Sequence, residues 1–173
     1  MDSASLNFSD FFTKGFVTGK FFKDTSKFLE YKFPNCNEPG LIGETDGVPK
    51  DAKSDLLELQ LLIGQEYISK IFERNYILKN TAMWEGVDEY SADWHNDFED
   101  GKNMNTNLLV YLDDTAEHAN TIQVRDKNTE YVVIPKAGDF VWLNQGSGFE
   151  HKASHNGGRR RVLSFEYFTD GIK

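Results

Sequence analysis

From about residue 76 onward, the chain consists of short apolar runs separated by polar turns. The runs are rich in Val, Ile, Leu, Tyr and Phe, and Asn, Asp, Gly and Lys separate each run from the next. Short strands at regular spacing are typical of antiparallel β-sandwiches and jelly rolls. The pattern predicts strands at residues 76–84, 106–114, 120–126, 129–136, 138–145 and 160–168.

Before residue 76, the apolar residues recur at the three-to-four spacing of helices. Residues 9–31 place Phe and Leu at this spacing after Ser9, a suitable N-cap, although Gly15 and Gly19 weaken the helix prediction. A second helix is predicted over residues 54–76, with Ser54 as its N-cap. Its apolar face is expected to pack on the core and consists of Leu56, Leu59, Ile63, Tyr67 and Ile71.

Residues 35–53 lie between the two predicted helices and are rich in Gly, Pro, Asn and Asp. This composition predicts a loop. The loop is interpreted either as a mobile lid that closes over the active site or as an ordinary surface connection.

The length of 173 residues predicts a single domain with a substantial core. We expect a helical and loop part at residues 1–75 and a jelly-roll core at residues 76–173. The fold class expected is therefore mainly β with N-terminal helices, around a double-stranded β-helix.

The net charge of −9 argues against general binding to nucleic acid, which requires a basic surface. Cys36 is the single cysteine, so no intrachain disulfide forms and a reducing compartment is favoured. The N-terminus has no signal-peptide pattern, and no window is apolar enough to span a membrane. These features predict a soluble, cytoplasmic protein that has no membrane partner.

Candidate metal ligands occur in the segment DWHNDFEDG, residues 93–101. His95 and Asp97 stand at positions i and i+2, whose side chains point to the same side of an extended chain. A third ligand is expected from a distant segment, and His151 follows the strand predicted at residues 138–145. Two histidines and one carboxylate on one face of a metal are typical of non-heme Fe(II) oxygenases. His155 is the alternative third ligand, and His118 is interpreted as a surface residue.

Several motifs, in order, resemble those of the Fe(II)/2-oxoglutarate-dependent dioxygenases, in particular the prolyl-4-hydroxylase-like and phytanoyl-hydroxylase-like branches. WHNDF resembles the family's His-x-Asp, TNLLVYLDD its following strand, and VVIPKAGDFVWL its Pro-x-x-Gly stretch. HKASHNGGRRRVLSF resembles the distal His followed by an Arg that opens the last core strand. Many members have a Gly-Gly-Glu-Thr-like segment where this chain has HANTIQVRD. This departure from the family pattern bears on substrate binding and not on the metal ligands.

The resemblance implies that His95, Asp97 and His151 bind Fe(II) and form the catalytic centre. It also implies a cation that binds the distal carboxylate of 2-oxoglutarate, and this is Arg160, with Arg161 as the alternative. Tyr111 is expected to contact the same carboxylate, and Asn107 to line the pocket.

The implied activity is oxidative decarboxylation of 2-oxoglutarate by O2, coupled to hydroxylation of a substrate C–H bond. The implied substrate is peptidyl proline, in a peptide or protein, or else a small molecule. Two alternatives are a cupin-like jelly-roll protein that binds metal without oxygenase activity, and a hydrolase, for which no general base is evident near the candidate ligands.

Overall fold

The computed structural model describes residues 8–34, 40–41, 50–68, 76–86, 90–96, 104–114, 120–146, 148–155 and 159–169. Within these ranges there are three α-helices, α1 (Phe8–Thr13), α2 (Ser26–Leu29) and α3 (Lys50–Ile63), and a π-helical turn at Gly64–Ile68 follows α3. The strands are β1 (Phe16–Lys20), β2 (Gly40–Leu41), β3 (Tyr76–Gly86), β4 (Tyr90–Ser91), β5 (Met104–Tyr111), β6 (Asn120–Arg125), β7 (Glu130–Val133), β8 (Asp139–Asn144), β9 (Glu150–His155) and β10 (Arg160–Thr169).

The strands form two antiparallel sheets. The major sheet has the order β1-β8-β5-β10-β3-β2, and the minor sheet has the order β4-β9-β6-β7. From β3 to β10 the chain passes repeatedly from one sheet to the other, which is the winding of a jelly roll. The predicted fold class is therefore confirmed, and each of the six predicted strands overlaps an observed one.

Each face of the major sheet buries a different set of side chains, because successive residues of a strand point to opposite faces. One face packs on the minor sheet through a cluster that includes Leu109, Val141 and Val162 of the major sheet and Ile122 and Val124 of the minor sheet. The other face packs on the N-terminal helices through Trp142, Leu163, Phe165, Tyr167 and Leu56. The direction of a side chain on β5, β8 or β10 therefore decides which of the two interiors it enters.

The single helix predicted over residues 9–31 is wrong, because only its two ends are helical, in α1 and α2. Helix α1 ends at Thr13, and residues Phe16–Lys20 form β1, which pairs with β8 at the edge of the major sheet. Gly15 adopts a φ of 83°, a left-handed conformation that favours glycine and ends a helix. The N-terminal part thus supplies a strand to the sheet as well as helices.

The second predicted helix begins earlier than expected. Helix α3 starts at Lys50, so Ser54 lies inside it and is not its N-cap. The last residues of the predicted loop 35–53 are consequently helical, and Gly40–Leu41 form an edge strand paired with β3. Residues 35–39 and 42–49, including Cys36, lie outside the described residues, so the lid interpretation stays a prediction. On the expected apolar face, Leu56 and Ile63 are buried.

The backbone conformation of the turn before β8 explains why the Pro-x-x-Gly stretch ends in a glycine, Gly138. Gly138 has a φ of 80°, and a Cβ placed on it would lie 2.1 Å from the backbone oxygen of Phe22. The Gly138 backbone donates to the carbonyl of Tyr111 and accepts from the amides of Phe21 and Phe22. A side chain at this position would separate three segments that this turn holds together.

The helices described here are all too short or too polar to cross a membrane.

Candidate metal centre

The proximal and distal histidines of the predicted ligand set lie side by side. The chain from β4 runs along β9 and pairs with it again at an isolated bridge between His95 and His151. The two backbones exchange hydrogen bonds of 3.0 and 2.9 Å, and the centroids of the two imidazole rings are 4.4 Å apart. Residues that are 56 positions apart in the sequence are thus neighbours because two short strand segments meet there.

The surroundings of His95 select one ring nitrogen for a metal. His95 Nδ1 lies 2.7 Å from the carbonyl oxygen of Asp93. A carbonyl accepts hydrogen bonds only, so this contact requires the proton on Nδ1, and the neutral ring would then bind a metal through Nε2. Histidines that bind metals usually have this arrangement, with the second nitrogen hydrogen-bonded to a carbonyl or carboxylate. His95 is exposed and His151 is half-buried, which places the pair at the rim of the jelly roll.

Two of the remaining candidates lie outside the described residues. These are Asp97, the predicted carboxylate ligand, and His118, the predicted surface residue. Among the residues that the structure does describe, no group of three or more His, Cys, Asp or Glu side chains could hold a metal. The alternative ligand His155 lies at the opposite end of β9 from His151, where it pairs with Tyr90 and Asn120 and is buried.

Arg160 points into the space between the two sheets. It shares the face of Val162, and the residue is 2% exposed. Its Nη2 donates to the hydroxyl oxygen of Tyr111 over 3.2 Å, and its guanidinium carbon lies 5.1 Å from the ring centroid of Trp84. Among the described residues, Arg160 has no carboxylate within salt-bridge distance, and its Nε has no hydrogen-bond partner. This buried cation therefore lacks an anionic partner in the part of the chain that is described.

Arg161 points to the opposite face and has a different environment. Its guanidinium makes a bidentate ion pair with Asp113, and the backbone amide of Arg161 also donates to Asp113. A further donation reaches the carbonyl of Leu29 over 3.4 Å, and Phe33 lies under the guanidinium. The charge of Arg161 is thus compensated on the helix side of the sheet.

Tyr111 retains a proton that it can donate. Burial raises the pKa of its hydroxyl above the ordinary value, and the neighbouring charge of Arg160 opposes this rise. The hydroxyl is therefore neutral at ordinary pH. Its oxygen accepts from Arg160, and its proton remains available to an anion placed between the sheets.

Asn107 forms a buried polar pair on the same side of the major sheet. The hydroxyl of Ser164 donates to Asn107 Oδ1 over 2.8 Å. Both residues face the minor sheet, because Ser164 alternates with Arg160 and Val162 along β10, and Asn107 alternates with Tyr111 along β5. Along β5 and β10, the face towards the minor sheet thus includes the polar side chains of Arg160, Tyr111, Asn107 and Ser164.

Ser164, Trp84 and Trp94 were not selected from the sequence. Strand alternation from Arg160 would have included Ser164. Trp84 packs at the edge of the cluster between the sheets. Trp94 lies on the outer face of the minor sheet, where the Arg125 guanidinium and the Lys152 amine approach its ring to 4.3 and 4.6 Å. The sequence contains no signal for that contact, because it depends on how three strands pair.

The fold is similar to those of solved oxygenase structures. A 2OG-Fe(II) oxygenase family oxidoreductase from Burkholderia pseudomallei superposes with a TM-score of 0.70 at 11% identity, over 95% of this chain and 90% of that one. A prolyl-4-hydroxylase from Pseudomonas putida gives 0.59 at 16% identity, over 95% and 97%. A Trichoplax adhaerens prolyl hydroxylase, solved with a peptide fragment of hypoxia inducible factor, gives 0.61 at 12%, over 95% and 88%.

No family model matches the sequence, and no curated protein sequence matches it significantly. At these identities, the comparisons establish that the chain has the jelly-roll fold of 2OG-Fe(II) oxygenases. The identity of the chemistry has to be argued from this chain's own residues.

Proposed function

We propose that this protein is a non-heme Fe(II)- and 2-oxoglutarate-dependent oxygenase that hydroxylates its substrate. The observation that carries the proposal is the buried charge of Arg160. An ionised group removed from water is strongly unfavourable unless a counter-charge accompanies it. The described residues provide that counter-charge for Arg161 but none for Arg160. A carboxylate that enters between the sheets would supply it.

The residues around Arg160 suit the distal carboxylate of 2-oxoglutarate. A guanidinium binds a carboxylate through two parallel hydrogen bonds, and a neutral phenol adds a third. Tyr111 is held in place by its contact with Arg160 and keeps its own proton for the ligand. Trp84 and the aliphatic side chains around Val162 exclude water, which strengthens each of these interactions. Asn107, whose side chain accepts a hydrogen bond from Ser164, would line the same pocket.

His95, Asp97 and His151 would hold the Fe(II). The two histidines are adjacent, His95 presents the lone pair of Nε2, and imidazole and carboxylate are the ligand types that non-heme iron takes. Bound iron with 2-oxoglutarate and O2 supplies the oxidising chemistry, which releases succinate and carbon dioxide. The protein's part is to hold the ligands and the co-substrate and to keep water away.

For the substrate, we propose peptidyl proline in a peptide or protein, with a small molecule as the alternative. Two proteins of similar fold are prolyl hydroxylases, and one of them was solved with a peptide fragment. The exposed position of His95 at the rim of the jelly roll agrees with a substrate that approaches from solvent.

Anaerobic titration tests the proposal. The protein is first loaded with Fe(II) and then titrated with 2-oxoglutarate, while the visible charge-transfer band of the iron–2-oxoglutarate complex is followed. We expect saturable binding, and succinate release once O2 is admitted. Metal binding without 2-oxoglutarate binding would contradict the proposal and indicate a cupin-like metal protein. A panel of proline-containing peptides and metabolites, ranked by succinate release, then identifies the substrate class.

A further inference from the structure

Asn96, the residue between the two candidate ligands His95 and Asp97, contacts the loop that leads to the third. Its side-chain amide donates to the carbonyl of Phe149 over 3.0 Å and to that of Gly146 over 3.3 Å. Both carbonyls belong to the β8–β9 loop, residues 145–149, and His151 follows two residues after Phe149. One carboxamide therefore connects the segment of the proximal ligand to the segment of the distal ligand.

The other side of the β8–β9 loop is attached to the N-terminal part of the chain. The Gly146 amide donates to Asn144 Oδ1, and Asn144 Nδ2 donates to the carbonyl of Phe11. The ring of Phe149 lies against Gly15, so closely that a Cβ on Gly15 would come within 2.4 Å of it. Gly146 and Phe149, the two residues to which Asn96 donates, are thus each also in contact with the N-terminal part of the chain, Gly146 through Asn144 and Phe149 through Gly15.

Asn96 lies directly after the last described backbone hydrogen bonds between its segment and β9. Those hydrogen bonds are the pair between His95 and His151. Asn96 contributes the next contact along the chain, and Asp97 follows it directly. The carboxamide of Asn96 thus extends the attachment between the segment of His95 and the segment of His151 beyond the backbone pairing.

We infer that Asn96 is a positioning residue that holds the segment of His95 against the loop before His151 and so sets the geometry of these two metal ligands. The inference rests on the function proposed above and adds a residue that contacts neither metal nor co-substrate. Asn96 is half-buried and lines an open groove of about 660 Å³ beside the β6–β7 turn. A substitution there therefore leaves both apolar cores intact.

The most specific test is Asn96→Asp, because this change keeps the shape of the side chain and removes its donor. A carboxylate only accepts, so it loses both bonds to the carbonyls of Gly146 and Phe149. Asn128→Asp is the matched control, since it adds the same charge in the same groove on an exposed side chain. By charge alone, both variants would bind a cation slightly better than the wild type.

We expect Asn96→Asp to weaken Fe(II) affinity about 10- to 100-fold, as loss of a residue that orients metal ligands does. Asn128→Asp should retain wild-type affinity or exceed it. The absorption spectrum of Co(II)-substituted protein, which reports ligand geometry, should change in Asn96→Asp and stay unchanged in Asn128→Asp. Thermal unfolding of the metal-free proteins checks that both variants are folded.

Equal metal affinity and equal Co(II) spectra in the two variants would overturn the inference and leave the proposed function intact. A wild-type protein that binds no Fe(II) would overturn both. If Asn96→Asp does not fold, the neutral Asn96→Ala is measured in the same way. A folded Asn96→Ala with wild-type affinity and spectrum would also overturn the inference.

Discussion

Arg160 and Arg161 are consecutive residues of β10, yet their side chains enter different interiors of the protein. Arg161 lies on the helix side, where Asp113 compensates its charge. Arg160 lies between the sheets beside Tyr111, without a carboxylate among the described residues. We therefore expect the two arginines to differ in function, with Arg161 stabilising the fold and Arg160 binding an anion.

Arg161→Ala should reduce stability, and Arg160→Ala should reduce co-substrate binding. Removing Arg161 leaves Asp113 without its partner in a largely buried position and should cost about 3 kcal/mol of unfolding free energy. Removing Arg160 should leave a carboxylate of 2-oxoglutarate unpaired, at a cost of about 2–5 kcal/mol in binding. Urea denaturation and titration with 2-oxoglutarate measure the two effects separately. The reverse assignment of effects would transfer the co-substrate role to Arg161.

His151→Ala should abolish Fe(II) binding, whereas His155→Ala should leave it within a few-fold of wild type. The ring of His151 lies 4.4 Å from that of His95, and His155 is at the far end of the same strand. Because His155 is buried, its replacement should cost stability, on the order of 1–3 kcal/mol. Calorimetric titration with Fe(II) under argon distinguishes the two variants. Lost metal binding in a folded His155→Ala variant would assign the ligand to His155 instead.

The strands of the core could be predicted because their apolar residues form short runs bounded by polar turns. Strand β8, for example, is buried along most of its length and contains Phe140, Val141 and Trp142. Strands β4 and β9 were not predicted, since β4 has two residues and β9, Glu150–His155, is polar. Strand β1 was assigned to a helix because its aromatic residues continue the spacing of α1 past Gly15.

The contents of the site could be predicted only in part. His95, His151, Arg160 and Tyr111 have distinctive chemistry and were selected from motifs in the sequence. The roles of Asp113 and Asn96 depend on contacts that span 48 and about 50 positions of the chain. Strand alternation places Arg160 and Arg161 on opposite faces of β10, but it does not show which elements cover each face. Because both faces are buried, the choice between the two arginines required the structure.

Gly138→Ala should destabilise the protein by several kcal/mol. The left-handed backbone costs a non-glycine residue about 1 kcal/mol, and the new Cβ would collide with the backbone oxygen of Phe22. The backbone cannot move aside without breaking the hydrogen bonds from Gly138 to Tyr111 and from Phe21 and Phe22. Gly148→Ala is the control: Gly148 has a φ of 111°, but nothing lies within 4 Å of its Cβ position. Equal losses of stability in urea would show that the backbone conformation, and not the collision, determines the cost at Gly138.

Tyr31 connects α2 to α3 and should make stability fall in strongly alkaline solution. Its hydroxyl donates to Asp55 over 2.7 Å, and Lys27 pairs with the same carboxylate. The hydrogen bond to Asp55, followed by burial, raises the pKa of Tyr31 from 10.0 to about 12. The unfolded chain then loses the phenol proton near pH 10, while the folded protein keeps it. Stability from this contact is thus complete below pH 10 and declines as the pH rises towards 12.

The matched variant is Tyr31→Phe, which keeps the ring and removes the titrating hydroxyl. At pH 8 the variant should be less stable than wild type by about 1 kcal/mol, the usual contribution of one hydrogen bond. Between pH 10 and 12 the wild type should lose this advantage, because only its unfolded chain ionises there and gains stability, and the two unfolding curves should converge. Urea denaturation at several pH values measures the difference, in which the titration of other tyrosines and lysines cancels. A difference that stays constant up to pH 12 would contradict the raised pKa of Tyr31.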